Sequence, residues 1–319
     1  MSESPFEGTF RERIAVNRRN SLLLIASFLA FVAVFGYVIG WAWIGDPVGA
    51  IFGLVLAFIV GIVTGLATYY GGDRMVLAAS RAREISHDEA PVLFNVVEEM
   101  AIAAGLSMPK VYIIDDSAPN AFATGRDPEH ASVAVTSGLL EKLNRDELQG
   151  VIAHEMSHVG NFDIRYAMLV GILVGTTVLI SDFFLRGLWL SGGGRGRSEG
   201  GGYVQLIMIV IAIVFAILAP LFARLLQLSI SRQREYLADA SAVRLTRNPK
   251  GLADALQKIS GDREVLEAAN RATAHLYIVN PVKGFEKRAK GLFSTHPPIE
   301  ERIQILRFME TGGVAQPAG

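Results

Sequence analysis

His154, Glu155 and His158 occur as His-Glu-Met-Ser-His. On a helix, positions four apart stack one turn above each other, so both imidazoles can reach one ion. Glu155, beside the first histidine, then points toward a water that it can deprotonate for attack on a carbonyl. Two imidazoles leave a catalytic tetrahedral zinc one protein ligand short, and a carboxylate completes the His₂Glu type. Glu235 is the best candidate. Asp239, four residues further on, shares its helical face and can accept the spare ring N–H of a histidine ligand. One Zn²⁺ per chain is expected, although imidazole and carboxylate also suit Co, Ni and Mn.

Closing such a site requires the chain to return. Ser21 to Gly45 and Pro47 to Gly72 carry no charged residue. Each exceeds the ~20 residues that cross a hydrocarbon core as a helix. Tyr166 to Ser181 and Gly200 to Ala223 are also uncharged. Four membrane helices follow, with the shorter third run also fitting a partly embedded hairpin. The histidines precede the third run and Glu235 follows the fourth, so an outward and return crossing puts both on one side.

Arginine sets the orientation. Arg11, Arg13, Arg18 and Arg19 precede the first run; Arg74, Arg81 and Arg83 follow the second; Arg224, Arg232 and Arg234 follow the fourth. By the positive-inside rule these segments are cytoplasmic. The Gly-rich stretch Ser191 to Gly202 is a linker between the last two runs.

The soluble remainder reads as α+β. Ser86 with Glu89 is a capping-box pattern opening a helix that ends near Gly105. Lys110 to Ile114 and Ala131 to Thr136 are strands, Asn120 to Gly125 a possible third, and together they form a small sheet. Asn144 with Glu147 caps the helix that carries both histidines. Pro297 and Pro298 start a helix in which Ile299, Ile303 and Leu306 recur at helical spacing.

The expected architecture is a mainly α membrane protein with a zincin-like α+β catalytic domain in the cytoplasm. Residues 1–20 form a cytoplasmic segment, 21–72 the first hairpin and 164–223 the second. Residues 73–163 and 224–319 are the two parts of the catalytic domain.

Composition removes several alternatives. With 51% hydrophobic and only 19% charged residues, part of the chain must avoid water. A net charge of −1 argues against a nucleic-acid partner, and the absence of cysteine excludes disulfides, thiolate nucleophiles and Cys-ligated metals.

The early paired spans, His154-Glu155-x-x-His158 before a third run, and Ser231-Arg232-Gln233-Arg234-Glu235-Tyr236-x-Ala238-Asp239 after a fourth together resemble the HtpX membrane zinc metalloproteases, relatives of the CAAX prenyl proteases. The likeness covers most of the chain. Asn120 to Gly125 looks like that family's active-site edge strand, Ser294-Thr295-His296-Pro297-Pro298 like its His-Pro-Pro element, and Asp163 like a family position. The resemblance implies a multi-pass endopeptidase of the bacterial inner membrane that cuts misfolded membrane proteins or unfolded polypeptides at cytoplasmic sites. His296 is one candidate to steady the oxyanion, or it simply caps the following helix. Asn120 is a candidate substrate contact on a strand that binds extended peptides by addition. The competing class is a non-enzymatic membrane scaffold with a structural zinc; a transporter ranks lower, because the first, second and fourth runs lack ionisable residues.

Overall fold

An uncharged helix of about 20 residues spans a bilayer core, and the N-terminal sequence supplies two. The structure, a computed structural model, describes residues 10–44, 46–170, 172, 210, 232–262, 264–269, 273–279 and 297–311. Helix α1 runs Phe10–Ile44 and α2 runs Pro47–Ala79. Within them, Arg19–Tyr37 and Pro47–Ala79 are long and apolar enough to cross a membrane. Most of the third and fourth apolar runs, the Gly-rich linker and His296 lie outside the described residues.

The chain divides into two compact units. The first includes residues 20–70, where α1 and α2 pack through glycine. A Cβ at Gly40 would lie 2.1 Å from the carbonyl oxygen of Gly49, and one at Gly53 would lie 2.2 Å from that of Gly36. Helices meet this closely only where side chains are absent. The outward positions, among them Leu22, Ile51, Phe52 and Val63, are exposed and apolar, as a lipid-facing surface requires. Gly53→Val should therefore force the pair apart and destabilise the protein by about 1–3 kcal/mol. Gly65→Ala should be tolerated, because a Cβ there meets nothing within 4 Å. Thermal unfolding in detergent compares the two variants.

The second unit contains residues 71–168 and the described part of 228–319. Its four strands are β1 Ala82–Glu84, β2 Lys110–Ile114, β3 Ala121–Gly125 and β4 Ala131–Thr136. They lie in the order β1-β2-β4-β3, with β2 and β4 parallel and the outer pairs antiparallel. All three strand expectations hold; β1 is added. In β3, Ala121 pairs with Val135 and Ala123 with Val133, which leaves β3 at one edge of the sheet.

Helix α3 spans Pro91–Ala104 and ends at Gly105, whose φ of +66° is the left-handed C-cap that glycine adopts freely. Its start differs from the capping-box expectation. Glu89 does accept from the Ser86 backbone N–H at 3.1 Å, but the pair closes a turn and Arg83 also binds Glu89. Pro91, lacking an N–H and preset in φ, is the residue that opens the helix.

A short helix α4, Ser137–Lys142, leads into α5, Arg145–Gly160. The Asn144/Glu147 capping box is present in both directions, at 3.0 Å and 2.8 Å. Helix α5 is the centre of the unit. Val151, Ile152, Ala153, Met156 and Val159 are buried, and the helix packs against α3, β3 and two later helices, α6 Arg232–Thr246 and α7 Pro249–Gly261. Helix α8, Ile299–Glu310, packs on α7 and α6 with Leu306 fully buried. Such a helix cannot shift without disturbing close-packed neighbours, so side chains projecting from it are held firmly.

Candidate metal centre

His154 and His158 project from the same side of α5 with their rings edge-to-face, centroids 4.8 Å apart. Their Nε2 atoms face each other at 3.2 Å. From α6, Glu235 places Oε2 at 3.7 Å from His154 Nε2 and Oε1 at 3.6 Å from His158 Nε2. One ligand atom from each of the three residues fits within 4.8 Å of the others.

This donor set fits a metal ion. Two nitrogens each ~2.0–2.1 Å from one tetrahedral zinc would be about 3.3 Å apart, close to the spacing found. Buried ring nitrogens this close are otherwise compatible only if one carries a proton toward the other, beside a carboxylate. A tetrahedral ion held by these three residues would have one position left over among the described residues.

Each histidine is oriented from behind by a carboxylate. His154 Nδ1 lies 2.9 Å from Asp239 Oδ1, and His158 Nδ1 lies 3.0 Å from Asp163 Oδ2. With the Nδ1 proton donated outward, the Nε2 lone pair of each ring is left for the ion. Asp163 reaches back because Phe162, at φ +61°, takes a left-handed turn just past the end of α5. A bulky residue in that region is strained, and the Arg165 guanidinium over its ring at 5.0 Å helps to hold it.

Asp239 is itself clamped. Arg302, from α8 and only 1% exposed, donates Nε to Asp239 Oδ2 at 2.8 Å and Nη2 to Oδ1 at 2.7 Å. Its Nη1 lies 3.4 Å from Glu235 Oε2 and donates to the Ile278 carbonyl at 3.2 Å. Burial alone would raise the Asp239 pKa, but the Arg302 charge holds it below the usual carboxylate range. The bidentate fork keeps Asp239 ionised and in position to accept from His154. Sequence reading named Asp239 but missed Arg302. A signal for it exists: position 302 shares a helical face with Ile299 and Leu306, so it is a charged residue on an apolar stripe and needs a buried partner.

Glu155 is 2% exposed and faced by the backbone N–H of Ala123 in β3. Burial pushes its carboxyl pKa up, against the lowering effect of His154 and His158. Such a carboxylate is a stronger base than a solvated one.

Burial opposes charge on His158 too, but the Asp163 hydrogen bond and the surrounding carboxylates outweigh it and push the pKa up to about 9. In the metal-free protein this ring is protonated at neutral pH, so a metal must displace its proton. Zinc affinity should therefore rise about tenfold per pH unit at neutral pH and level off above the His158 pKa. Isothermal titration in buffers of different ionisation enthalpy checks this; proton-independent binding would show that His158 carries no proton before the metal arrives.

Asp239→Ala should weaken zinc binding by about 10- to 100-fold while leaving the three ligands in place. Chelator competition measures the shift, and unchanged affinity would reduce Asp239 to a packing role.

Of the other residues singled out from sequence, Asn120 is buried, with its amide bound to the backbone of Val279. The structure brings together His154, Glu155, His158, Glu235 and Asp239.

The family model described as peptidase family M48 matches residues 87–310, a stretch that contains every residue of the centre. The chain belongs to peptidase family M48. Its relatives include proteins named Protease HtpX homolog: one from Streptococcus gordonii is 44% identical over 93% of this chain and 99% of its own length. Another, from Listeria monocytogenes serotype 4b, is 45% identical over 93% and 99%. Among solved structures, S. mikatae Ste24p is similar at a TM-score of 0.48 and 21% identity, over 92% of this chain and 66% of that one. M48 membership, the HtpX relatives and the two apolar helices make this chain a membrane metallopeptidase with a mostly helical fold and a small mixed sheet.

Proposed function

We propose that the chain is a zinc endopeptidase of the bacterial inner membrane, with His154, His158 and Glu235 as ligands and Glu155 as the general base. The observation that carries this reading is the convergence of three ligand atoms within 4.8 Å, with Glu155 next to the first histidine and a carboxylate behind each ring. When bound, zinc supplies a Lewis acid that polarises a carbonyl and lowers the pKa of a coordinated water toward about 7.

The protein groups perform the rest. Glu155 takes the proton of the attacking water and delivers it to the leaving amine. Asp239 and Asp163 hold the imidazoles against rotation as charge develops. An extended substrate aligns along β3 beyond Ala121, whose carbonyl already accepts from Ile278, and there main-chain hydrogen bonds read backbone rather than side chains. Broad specificity of that kind suits removal of misfolded membrane proteins and unfolded polypeptides.

The arginine distribution supports cytoplasmic placement of the N-terminus and of both catalytic segments, 73–163 and 224–319, with hairpins at 21–72 and 164–223. Metal analysis combined with a cleavage assay on the full chain in detergent tests the proposal. About one zinc per chain and chelator-sensitive hydrolysis are expected. A tightly held zinc without hydrolysis would instead mark a structural site.

A further inference from the structure

Helix α6 supplies more of the metal centre than Glu235. Asp239, one turn further on, stands behind His154, and Arg234, the residue before Glu235, faces the other histidine through Asp163. His158 Nδ1 lies 3.0 Å from Asp163 Oδ2, and the second oxygen of that carboxylate, Oδ1, lies 3.7 Å from Arg234 Nη1. Each ligand histidine is therefore backed by the same series of groups, an aspartate and then an arginine. Behind His154 these are Asp239 and Arg302; behind His158 they are Asp163 and Arg234.

The two series differ in strength. Arg302 holds Asp239 through two hydrogen bonds of 2.8 and 2.7 Å, whereas the 3.7 Å between Arg234 and Asp163 is beyond hydrogen-bond reach, so Arg234 acts there as a charge. The weaker series serves the more open ring: the His158 side chain is 15% exposed and that of His154 only 1%. Arg234 is nonetheless held in place. Its guanidinium lies over the buried Tyr166 ring at 4.9 Å, and a flat cation stacked on a ring gives up little further freedom when it meets a carboxylate. On the other side of Asp163, Arg165 lies over Phe162 and donates Nε to the Arg126 carbonyl just past β3. Asp163 thus sits in a turn that two stacked arginines fasten. A carboxylate this buried needs a nearby cation to stay ionised and turned toward its imidazole, and Arg234 provides one.

We propose that Arg234 is a positioning residue for the second metal ligand: it holds Asp163, and through Asp163 the His158 ring, in the orientation that presents Nε2 to the ion. The inference rests on the metallopeptidase reading with His158 as a ligand. It gives one stretch of α6, residues 234–239, a hand in all three ligands. Glu235 binds the ion, Asp239 orients the first histidine and Arg234 the second.

The test uses the full-length protein in detergent micelles at constant pH, stripped of metal and titrated with Zn²⁺ against a chelator of known affinity. Parallel samples are loaded with Co²⁺, whose visible absorption reports the geometry of its ligands. Asp163→Asn should weaken Zn²⁺ binding by about 10- to 100-fold. Arg234→Ala should weaken it by about 3- to 10-fold, less because the ion pair is open to solvent on one side, and should shift the Co²⁺ bands. In an Asp163→Asn background the same Arg234→Ala substitution should change affinity by less than about twofold, since its route to the ring is gone. Arg234→Lys keeps the charge but cannot lie flat on Tyr166, so it should fall between wild type and Arg234→Ala; it carries the test if the Ala variant fails to fold. Arg244→Ala, which removes an exposed arginine of the same helix, should bind Zn²⁺ as wild type does. Wild-type Zn²⁺ affinity and unchanged Co²⁺ bands in every folded Arg234 variant would overturn the assignment, as would an equal loss from Arg234→Ala with and without the Asp163 carboxylate. Absence of Zn²⁺ binding by the wild-type protein would instead overturn the metal centre itself, and the role of Arg234 with it.

Discussion

Replacing Glu155 with Gln should lower kcat for peptide hydrolysis by about 10²- to 10⁴-fold, the usual contribution of a positioned acid–base group, while leaving the metal bound. Gln keeps the volume and the carbonyl oxygen but cannot take a proton. Glu155 is buried beside both histidines, and the Ala123 N–H fixes the direction of its carboxylate. A base at this position would be preorganised rather than recruited by substrate. Single-turnover cleavage and zinc stoichiometry on the same sample distinguish the possible roles. Full zinc with lost hydrolysis identifies a base, lost zinc identifies a ligand, and retained hydrolysis removes Glu155 from the chemistry.

Glu235→Ala should remove both activity and metal. Losing an outer partner costs about 10- to 100-fold in affinity, and losing a ligand should exceed that range. The cause is electrostatic as well as geometric. Glu235 is the buried carboxylate that faces both Nε2 atoms, and Arg302 Nη1 stands 3.4 Å from it. Without that carboxylate a divalent cation would face the buried guanidinium with one fewer negative charge between them. Zinc measured after dialysis against a weak chelator should be absent from the variant and present in wild type. Equal zinc in both would place the third ligand on another residue.

The sequence was most legible where one local rule settles the structure. The Asn144 and Glu147 pair marks the start of α5 because a side chain and a backbone N–H three residues away satisfy each other without outside help. The β-branched runs at 110–114 and 131–136 mark strands for the same local reason. Ser86 and Glu89 show the limit: the pattern is there and the hydrogen bond forms, but Pro91 decides where helical geometry begins. Strand β1 is only three residues long and has no hydrophobic alternation, since it is recruited by pairing with β2 rather than by its own sequence. Glu235 could be reached by requiring that the chain return to one side of the membrane. Arg302 could not be reached that way, because the reason for its burial is a carboxylate 63 residues earlier. Asn120 stood out by its resemblance to an edge-strand position, yet its amide is bound to a distant part of the same backbone.

The clamp on Asp239 has a consequence for biosynthesis. Translation delivers both imidazoles first, the carboxylate ligand later, and Arg302 only 148 residues after His154. A nascent polypeptide thus carries His154, Glu155 and His158 through the ribosome and the insertion machinery before the guanidinium that clamps Asp239 exists. Until α8 docks, the carboxylate behind His154 has no guanidinium to hold it in place.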